Sequence, residues 1–229
     1  SPGTYAPYLE RGYTVFAVVH GSQPKFTLAE IIPDVHRAVR YIRFHAGRWN
    51  INPDRLGVTG SSAGGHLSLT LATQGGLGSA DAKDPVDRVS SAVQAVACFY
   101  PPTDFLNYGG PGRRAVAEGE LKAYQPAFGP EATTPEGRQR LGELYSPARY
   151  ITSTLPPVLV VHGDADKLVP LQQSEWFRQR AQEAGVGERV QLVVKSGGAH
   201  GWPDAQMDRK MMARWFDHQL RGLPADSAK

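Results

Sequence analysis

The chain has 229 residues, of which 41% are hydrophobic, and its formal net charge is +3. That length and composition can bury the core of one domain, and no apolar run approaches the roughly 20 residues that a membrane-spanning helix needs. The basic residues are scattered, without the stripes and aromatic neighbours of a nucleic-acid surface, so neither a membrane span nor nucleic-acid binding is expected.

Apolar periodicity predicts that helices and strands alternate along the chain. The first half indicates a helix over residues 5–11, a strand over 13–20, a helix over 33–48, a strand over 55–59 and a helix over 66–73. Pro33 suits the first turn of its helix. Strands near 93–99, 158–162 and 190–195 follow, with helices over 171–184 and 206–220. This alternation is typical of the α/β class, a parallel sheet with helices on both faces, and residues 1–229 are expected to form one domain.

Residues 60–64, Gly-Ser-Ser-Ala-Gly, lie between the strand over 55–59 and the helix over 66–73. Small residues two positions either side of Ser62 allow a sharp turn that exposes its hydroxyl and aims the first N–H groups of the helix toward it. The pattern indicates a nucleophile elbow. A plain glycine-rich turn is the alternative, because the five-residue motif also occurs by chance.

A serine nucleophile also needs a base and an acid that orients the base, and candidates for both follow in the chain. Asp164 and Asp166 come directly after the strand over 158–162, and His200 lies in a loop after the strand over 190–195. Because the carboxyl ends of parallel strands share one edge of a sheet, these side chains are expected to meet. The order serine, acid, histidine is that of α/β-hydrolases and not that of trypsin-like or subtilisin-like proteases.

Three segments together resemble those of α/β-hydrolase esterases: Gly-Ser-Ser-Ala-Gly-Gly, His-Gly-Asp-Ala-Asp-Lys-Leu-Val-Pro and Gly-Ala-His-Gly-Trp. The nearest branches are the bacterial acetyl or feruloyl esterase-like enzymes and the hormone-sensitive-lipase-like group. The resemblance runs from about Tyr8 to Trp202 and implies the α/β-hydrolase fold, with Ser62 as nucleophile, His200 as base and Asp166 as acid.

Asp166 is favoured over Asp164 because the family's acid falls three residues after the glycine of His-Gly. Asp164 is then expected to shape the loop, although the reversed assignment stays open. His162, in the same motif, is expected to be a structural histidine at the end of a strand.

The resemblance also implies an oxyanion hole, in which Ala63, next after the nucleophile, supplies one N–H donor. The family's His-Gly-Gly loop, which carries the second donor, is absent, and the only similar string is His20-Gly21-Ser22. By its spacing this string matches the strand after the family's oxyanion strand. The sheet is therefore expected to lack the family's N-terminal strands.

Three outcomes follow from that gap in the sheet. The strand over 13–20 moves next to the elbow strand, which makes Gly21 or Ser22 the second donor. Alternatively, a partner chain, as in a homodimer, covers the exposed edge. In the third outcome the chain is a fragment whose missing part is needed for activity. The start at Ser1, without an initiator methionine or signal-peptide pattern, predicts a mature, trimmed or fragmentary form.

Residues 101–154 break the alternation and mix proline, glycine and aromatic residues. Related hydrolases carry a cap over the pocket at this place, so we expect a cap-like insertion. Phe105 and Tyr108, together with Tyr124 and Phe128, are candidates for lining an apolar acyl or aromatic site. The alternative is that they form the small core of the insertion, and both can hold. Trp202, beside His200, is likewise either a pocket wall or a packing residue.

The single cysteine, Cys98, lies in an apolar run and is expected to be a small buried hydrophobe. It cannot form an internal disulfide, so cysteine usage does not fix the compartment, and secretion or a periplasmic location is left open. The histidines outside the motif have no partner at metal-ligand spacing, so neither a metal nor another cofactor is expected.

The resemblance implies a serine carboxylic-ester hydrolase that acts on small or medium acyl or aryl esters through an acyl-enzyme. Its partner is then a small-molecule ester. A peptidase or amidase of the prolyl-oligopeptidase type shares the triad, but such enzymes usually carry a propeller domain that this sequence does not show. A weakly active or inactive hydrolase-like protein is the third alternative, because the usual oxyanion loop is absent.

Overall fold

One sheet of four parallel strands lies among residues 2–224, the part of the chain that this computed structural model describes. The strands are β1 (Gly57–Ser61), β2 (Ala95–Phe99), β3 (Val158–Gly163) and β4 (Val190–Lys195). They lie side by side in chain order, so β1 and β4 are the two edges. Every residue of β2 and β3 is buried, as expected for central strands that helices cover on both faces.

Helices surround the sheet. The α-helices of the described residues are α1 (Pro2–Leu9), α2 (Leu28–Phe44), α3 (Ala63–Gln74), α4 (Gln125–Phe128), α5 (Pro135–Tyr145), α6 (Gln172–Glu183) and α7 (Ala205–Arg221). Short 3₁₀ helices occur at Ala46–Trp49, Pro85–Arg88, Gly119–Tyr124, Pro130–Thr133, Pro147–Tyr150 and Gly187–Arg189. Within residues 2–224, no helix has the length and apolar character needed to cross a membrane.

Alternate residues of β2 face two separate hydrophobic cores, because successive side chains of a strand point to opposite faces. Val96 and Cys98 pack in the core that contains apolar residues of α2, α3 and α6. Ala95 and Ala97 pack on the other face, with residues of α1 and α7. Helices therefore cover both faces of the sheet, which confirms the predicted α/β class.

Helix α2 begins at Leu28, five residues before the start predicted from Pro33. The carboxylate of Glu30 accepts the backbone N–H of Thr27 at 2.8 Å, and this capping box marks the first turn. Pro33 consequently lies inside the helix. The prediction followed the proline and overlooked the Thr-x-x-Glu pattern upstream of it.

The strand predicted over residues 13–20 is not formed. Residues 14–20 make no backbone–backbone hydrogen bond within the described part of the chain, and β1 pairs only with β2. Only the start of the segment is packed: Val15 lies against the core beneath α7 and the Phe16 ring lies 4.8 Å from that of Trp49, whereas Val18 and Val19 are exposed. The expectation that it moves next to the elbow strand is therefore wrong, because the two backbone edges do not meet in a ladder.

Residues 101–154 pack around a third hydrophobic cluster, distinct from the two cores on the sheet. Phe105 is only 3% exposed and Tyr108 is fully buried, with its hydroxyl donating to the carbonyl of Leu168 at 3.0 Å. The Phe105 ring packs edge-on against that of Phe128 at 5.2 Å. Both side chains therefore belong to the core of the insertion, the second of the two predicted roles, and their contact with a substrate stays a prediction.

Candidate active site

Ser62 lies between β1 and α3 in a strained backbone conformation, with φ at 55°. Its N–H donates to the carbonyl of Phe99 at 3.0 Å, which holds the turn against the end of β2. A Cβ atom on Gly60 would lie 2.3 Å from the carbonyl oxygen of Gly64, so the sharp turn requires glycine there. The structure therefore forms the strand, turn and helix that the sequence pattern predicts.

His200 joins Ser62 to Asp166. Its Nε2 atom lies 2.9 Å from Ser62 Oγ, and its Nδ1 atom lies 2.7 Å from Asp166 Oδ2. With the imidazole neutral, Nδ1–H donates to the carboxylate and Nε2 accepts the serine hydroxyl. We refer to these three linked side chains as the triad.

The carboxylate of Asp166 is fully buried and saturated with donors. Its Oδ1 atom accepts the backbone N–H groups of Leu168 and Val169, each at 2.9 Å. Burial alone raises the pKa of Asp166, but contacts with the imidazoles of His162 and His200 and the Val169 N–H outweigh it, so that the pKa lies well below its ordinary value. The side chain is therefore an anion facing His200 over the whole neutral range of pH.

Asp164 is exposed and contacts a different group. Its Oδ1 atom accepts the N–H of Gly197 at 2.6 Å, and the Ala165 N–H donates to the carbonyl of Gly198 at 2.9 Å. A Cβ atom on Gly163 would lie 2.1 Å from that same carbonyl oxygen, so the two loops approach too closely for any larger residue. Asp164 thus joins the loop that carries Asp166 to the loop that carries His200.

Two further residues of this region, Tyr100 and Asp208, could not be identified as part of the site from the sequence. Tyr100 has φ at 34°, a left-handed conformation that is rare for an aromatic residue, and its ring centroid lies 4.5 Å from that of His200. Asp208, on α7, accepts the indole N–H of Trp202 at 2.7 Å and the ammonium of Lys195 at 3.1 Å. Trp202 is therefore held in place as part of the packing around His200.

The two candidate oxyanion segments differ in how the structure places them. Ala63 is the first residue of α3, so its N–H has no acceptor within the helix. Gly21 packs against the Phe26 ring, and the Ser22 carbonyl accepts the Phe26 N–H at 3.1 Å. Among the described residues, no hydrogen bond links Gly21 or Ser22 to Ser62, and their role stays a prediction.

Within residues 2–224, no group of three or more histidine, cysteine, aspartate or glutamate side chains is placed to hold a metal ion. The two buried histidines on helices pair instead with protein groups: His36 with Ser91 Oγ at 2.9 Å and His66 with the Tyr145 carbonyl at 2.7 Å.

Comparison with known proteins gives one family and a set of esterases. The family model described as BD-FAE matches residues 2–181. Esterase LipQ of Mycobacterium tuberculosis is 29% identical over 187 residues, which make up 78% of this chain and 40% of LipQ. The chain therefore spans about two fifths of that curated relative's length.

Solved structures of esterases share the fold. A truncated carbohydrate esterase from gut microbiota has a TM-score of 0.80 and 28% identity, covering 96% of this chain and 78% of its own. An acetyl ester-xyloside bifunctional hydrolase from Caldicellulosiruptor lactoaceticus has a TM-score of 0.72 and 26% identity, covering 86% of this chain and 68% of its own. The parallel sheet and these likenesses identify the α/β-hydrolase fold that the sequence motifs predicted.

Proposed function

The chain belongs to the BD-FAE family, and from that premise we propose that it is a serine-dependent carboxylic ester hydrolase that acts on small or medium acyl or aryl esters. The observation that carries the proposal is the triad, in which the His200 imidazole bridges two groups. It lies 2.9 Å from the hydroxyl of Ser62, which is in a strained turn, and 2.7 Å from the buried carboxylate of Asp166. That arrangement suits acyl transfer through the serine.

The proposed reaction proceeds in two halves. His200 Nε2 accepts the hydroxyl proton of Ser62 as its oxygen attacks the ester carbonyl, and the imidazolium then gives that proton to the departing alcohol. Water, activated by the same imidazole, releases the acid from the acyl-enzyme. Asp166 holds the Nδ1–H tautomer and stabilises the imidazolium throughout.

The tetrahedral oxyanion needs donors that are already in place, each typically contributing about 2.7 to 4 kcal/mol. The N–H of Ala63 is the proposed first donor. The pairing of residues 14–19 with β1 that would place Gly21 or Ser22 there is not formed, so the second donor is proposed to come from a segment that covers the open edge of β1. Because this edge is open, two alternatives to a fully active monomer remain. In one the protein is only weakly active, and in the other a homodimer completes the site.

The names of the similar proteins suggest a substrate class. They include a carbohydrate esterase and an acetyl ester-xyloside hydrolase, so acetyl or other small acyl groups on plant polysaccharides are the proposed natural substrates.

The test is hydrolysis of p-nitrophenyl acetate and butyrate by the purified chain, beside Ser62→Ala and His200→Ala, with the mass measured in solution. We expect turnover that both substitutions reduce by orders of magnitude, and slower turnover of a proline p-nitroanilide. Faster cleavage of the anilide would favour a peptidase instead. No serine-dependent turnover from a folded chain would refute the proposed activity for this chain.

A further inference from the structure

A second histidine, His162, meets the carboxylate of the triad. It lies at the end of β3 and is completely buried. Its Nε2 atom is 3.4 Å from Asp166 Oδ2, the same oxygen that accepts from His200 Nδ1 at 2.7 Å. Two imidazoles therefore face one carboxylate oxygen.

The hydrogen-bond partners of His162 fix where its proton lies. Nε2 is 2.8 Å from the carbonyl oxygen of Val169, which can only accept, so Nε2 carries a hydrogen. Nδ1 is 2.6 Å from the hydroxyl of Ser174, which is itself fully buried and can donate. A neutral ring with its proton on Nε2 satisfies both contacts: the N–H donates to the Val169 carbonyl, and the same nitrogen lies 3.4 Å from Asp166 Oδ2.

The other groups around this pair of histidines are few. Asp166 Oδ1 is already occupied by two backbone N–H groups, so Oδ2 alone is shared. The insertion contributes Tyr108, whose pKa is raised by burial and by the negative charge of Asp166. His200 faces Ser62, Asp166 and the ring of Tyr100 at 4.5 Å. Asp166 is the only carboxylate among these groups.

We propose that His162 is a positioning residue that acts through Asp166: its Nε2–H faces Oδ2 and reduces the negative charge that the carboxylate offers to His200. The positive end of this N–H dipole stabilises the anion and disfavours a proton on His200. His200 then passes its proton to the leaving alcohol more readily than it would beside an unshared carboxylate. This role in catalysis rests on the proposed function.

Two matched substitutions separate this role from simple packing. In His162→Gln the amide nitrogen reaches the position of Nε2 and still faces Val169 and Asp166. In His162→Asn the shorter amide reaches only the position of Nδ1 and Ser174. Both variants keep a polar group in the buried site, but only the first keeps the donor toward Asp166.

The first readout does not depend on turnover. Ring signals of His200, assigned with a His200→Gln variant, are followed by NMR against pH in the folded wild type and both variants. We expect His162→Asn to move the His200 titration midpoint upward by about half a pH unit or more, and His162→Gln to leave it near the wild-type value. Equal midpoints in all three proteins, or equal shifts in both variants, would overturn the proposal.

The second readout uses activity. The acid limb of kcat/KM against pH should move to higher pH in His162→Asn with KM unchanged, and His162→Gln should restore it. If the folded wild type shows no Ser62-dependent turnover, the proposed function fails, while the NMR titration still decides the role of His162.

A third measurement needs no variant and covers the case in which His162→Asn does not fold. A long-range ¹H–¹⁵N spectrum of the folded wild type should show the proton of the His162 ring on Nε2. A proton on Nδ1, or a charged ring, would contradict the proposal.

Discussion

The Nε2 atom of His200 lies 2.9 Å from the hydroxyl oxygen of Ser62, although 138 residues separate them in the chain. The sheet brings them together, since Ser62 follows β1 at one edge and His200 follows β4 at the other. The loop after β3, which carries Asp166, lies between and is joined directly to the loop of His200 through Asp164 and Gly198. Base and acid are therefore positioned as one unit.

The two aspartates of this loop should differ sharply in their effect on turnover. Asp166→Asn removes the charge that orients His200 and should lower kcat by about 10⁴-fold. Asp164→Asn keeps an oxygen that can accept the Gly197 N–H, so its turnover should stay within about tenfold of the wild type. Initial rates on p-nitrophenyl acetate measure both. Equal losses at the two positions would mean that the acid is wrongly assigned.

The pH dependence of stability should carry a contribution from Asp166. Because its pKa is lowered in the folded chain, the stabilisation is fully present above the unfolded value of about 3.9 and is lost as pH falls through the folded pKa. The free energy of unfolding should therefore be higher in the wild type than in Asp166→Asn, and this difference should be smaller at pH 3 than at pH 6. These two values lie about 1 unit below and 2 units above the unfolded pKa. Urea titrations at both pH values measure the difference, and a gap that widens in acid would contradict the assignment.

The indole of Trp202 should stabilise the loop of His200 through its hydrogen bond to Asp208. Trp202→Phe leaves a buried carboxylate oxygen without that donor, which should cost about 1 to 3 kcal/mol in the free energy of unfolding and lower kcat. Trp215→Phe is the matched control, because the Trp215 Nε1 atom is buried without a hydrogen-bond partner in the described structure. Equal effects of the two substitutions on stability and on kcat would show that the Trp202–Asp208 bond contributes nothing.

The thiol of Cys98 should be inert in the folded chain. It is completely buried in β2, a central strand of the sheet, and burial raises its pKa well above the ordinary value. A thiol reagent such as DTNB should therefore react only after denaturant unfolds the protein, at a rate that reports opening of the sheet. Immediate reaction of the native chain would contradict the placement of β2 in the core.

Much of the site could be predicted from the sequence because short motifs set it. The Gly-Ser-Ser-Ala-Gly segment determines the turn at Ser62, since a Cβ atom on Gly60 would clash with the backbone of Gly64. The spacing from Gly163 favoured Asp166 over Asp164, and the structure links Asp166, not Asp164, to His200. Local backbone constraints of this kind are visible in a single sequence.

Features that depend on long-range packing could not be predicted in the same way. Residues 13–20 contain the continuous apolar run Val-Phe-Ala-Val-Val that is typical of a buried strand. A strand needs a neighbour for its hydrogen bonds, however, and none pairs with this segment among the described residues. The aromatic pattern around Phe105 fits a pocket wall and a core equally well, and only the three-dimensional packing shows that the side chain is buried. The contact of His162 with Asp166 likewise depends on the path of the loop between them.

The most direct test of the central claim is mass spectrometry of the chain after incubation with a reactive alkyl fluorophosphonate. The account predicts one covalent adduct, on the peptide that contains Ser62, which is absent in Ser62→Ala and forms much more slowly in His200→Ala. A folded chain that takes up no label, or that is labelled equally well in Ser62→Ala, would contradict the claim that His200 and Asp166 activate Ser62 as a nucleophile.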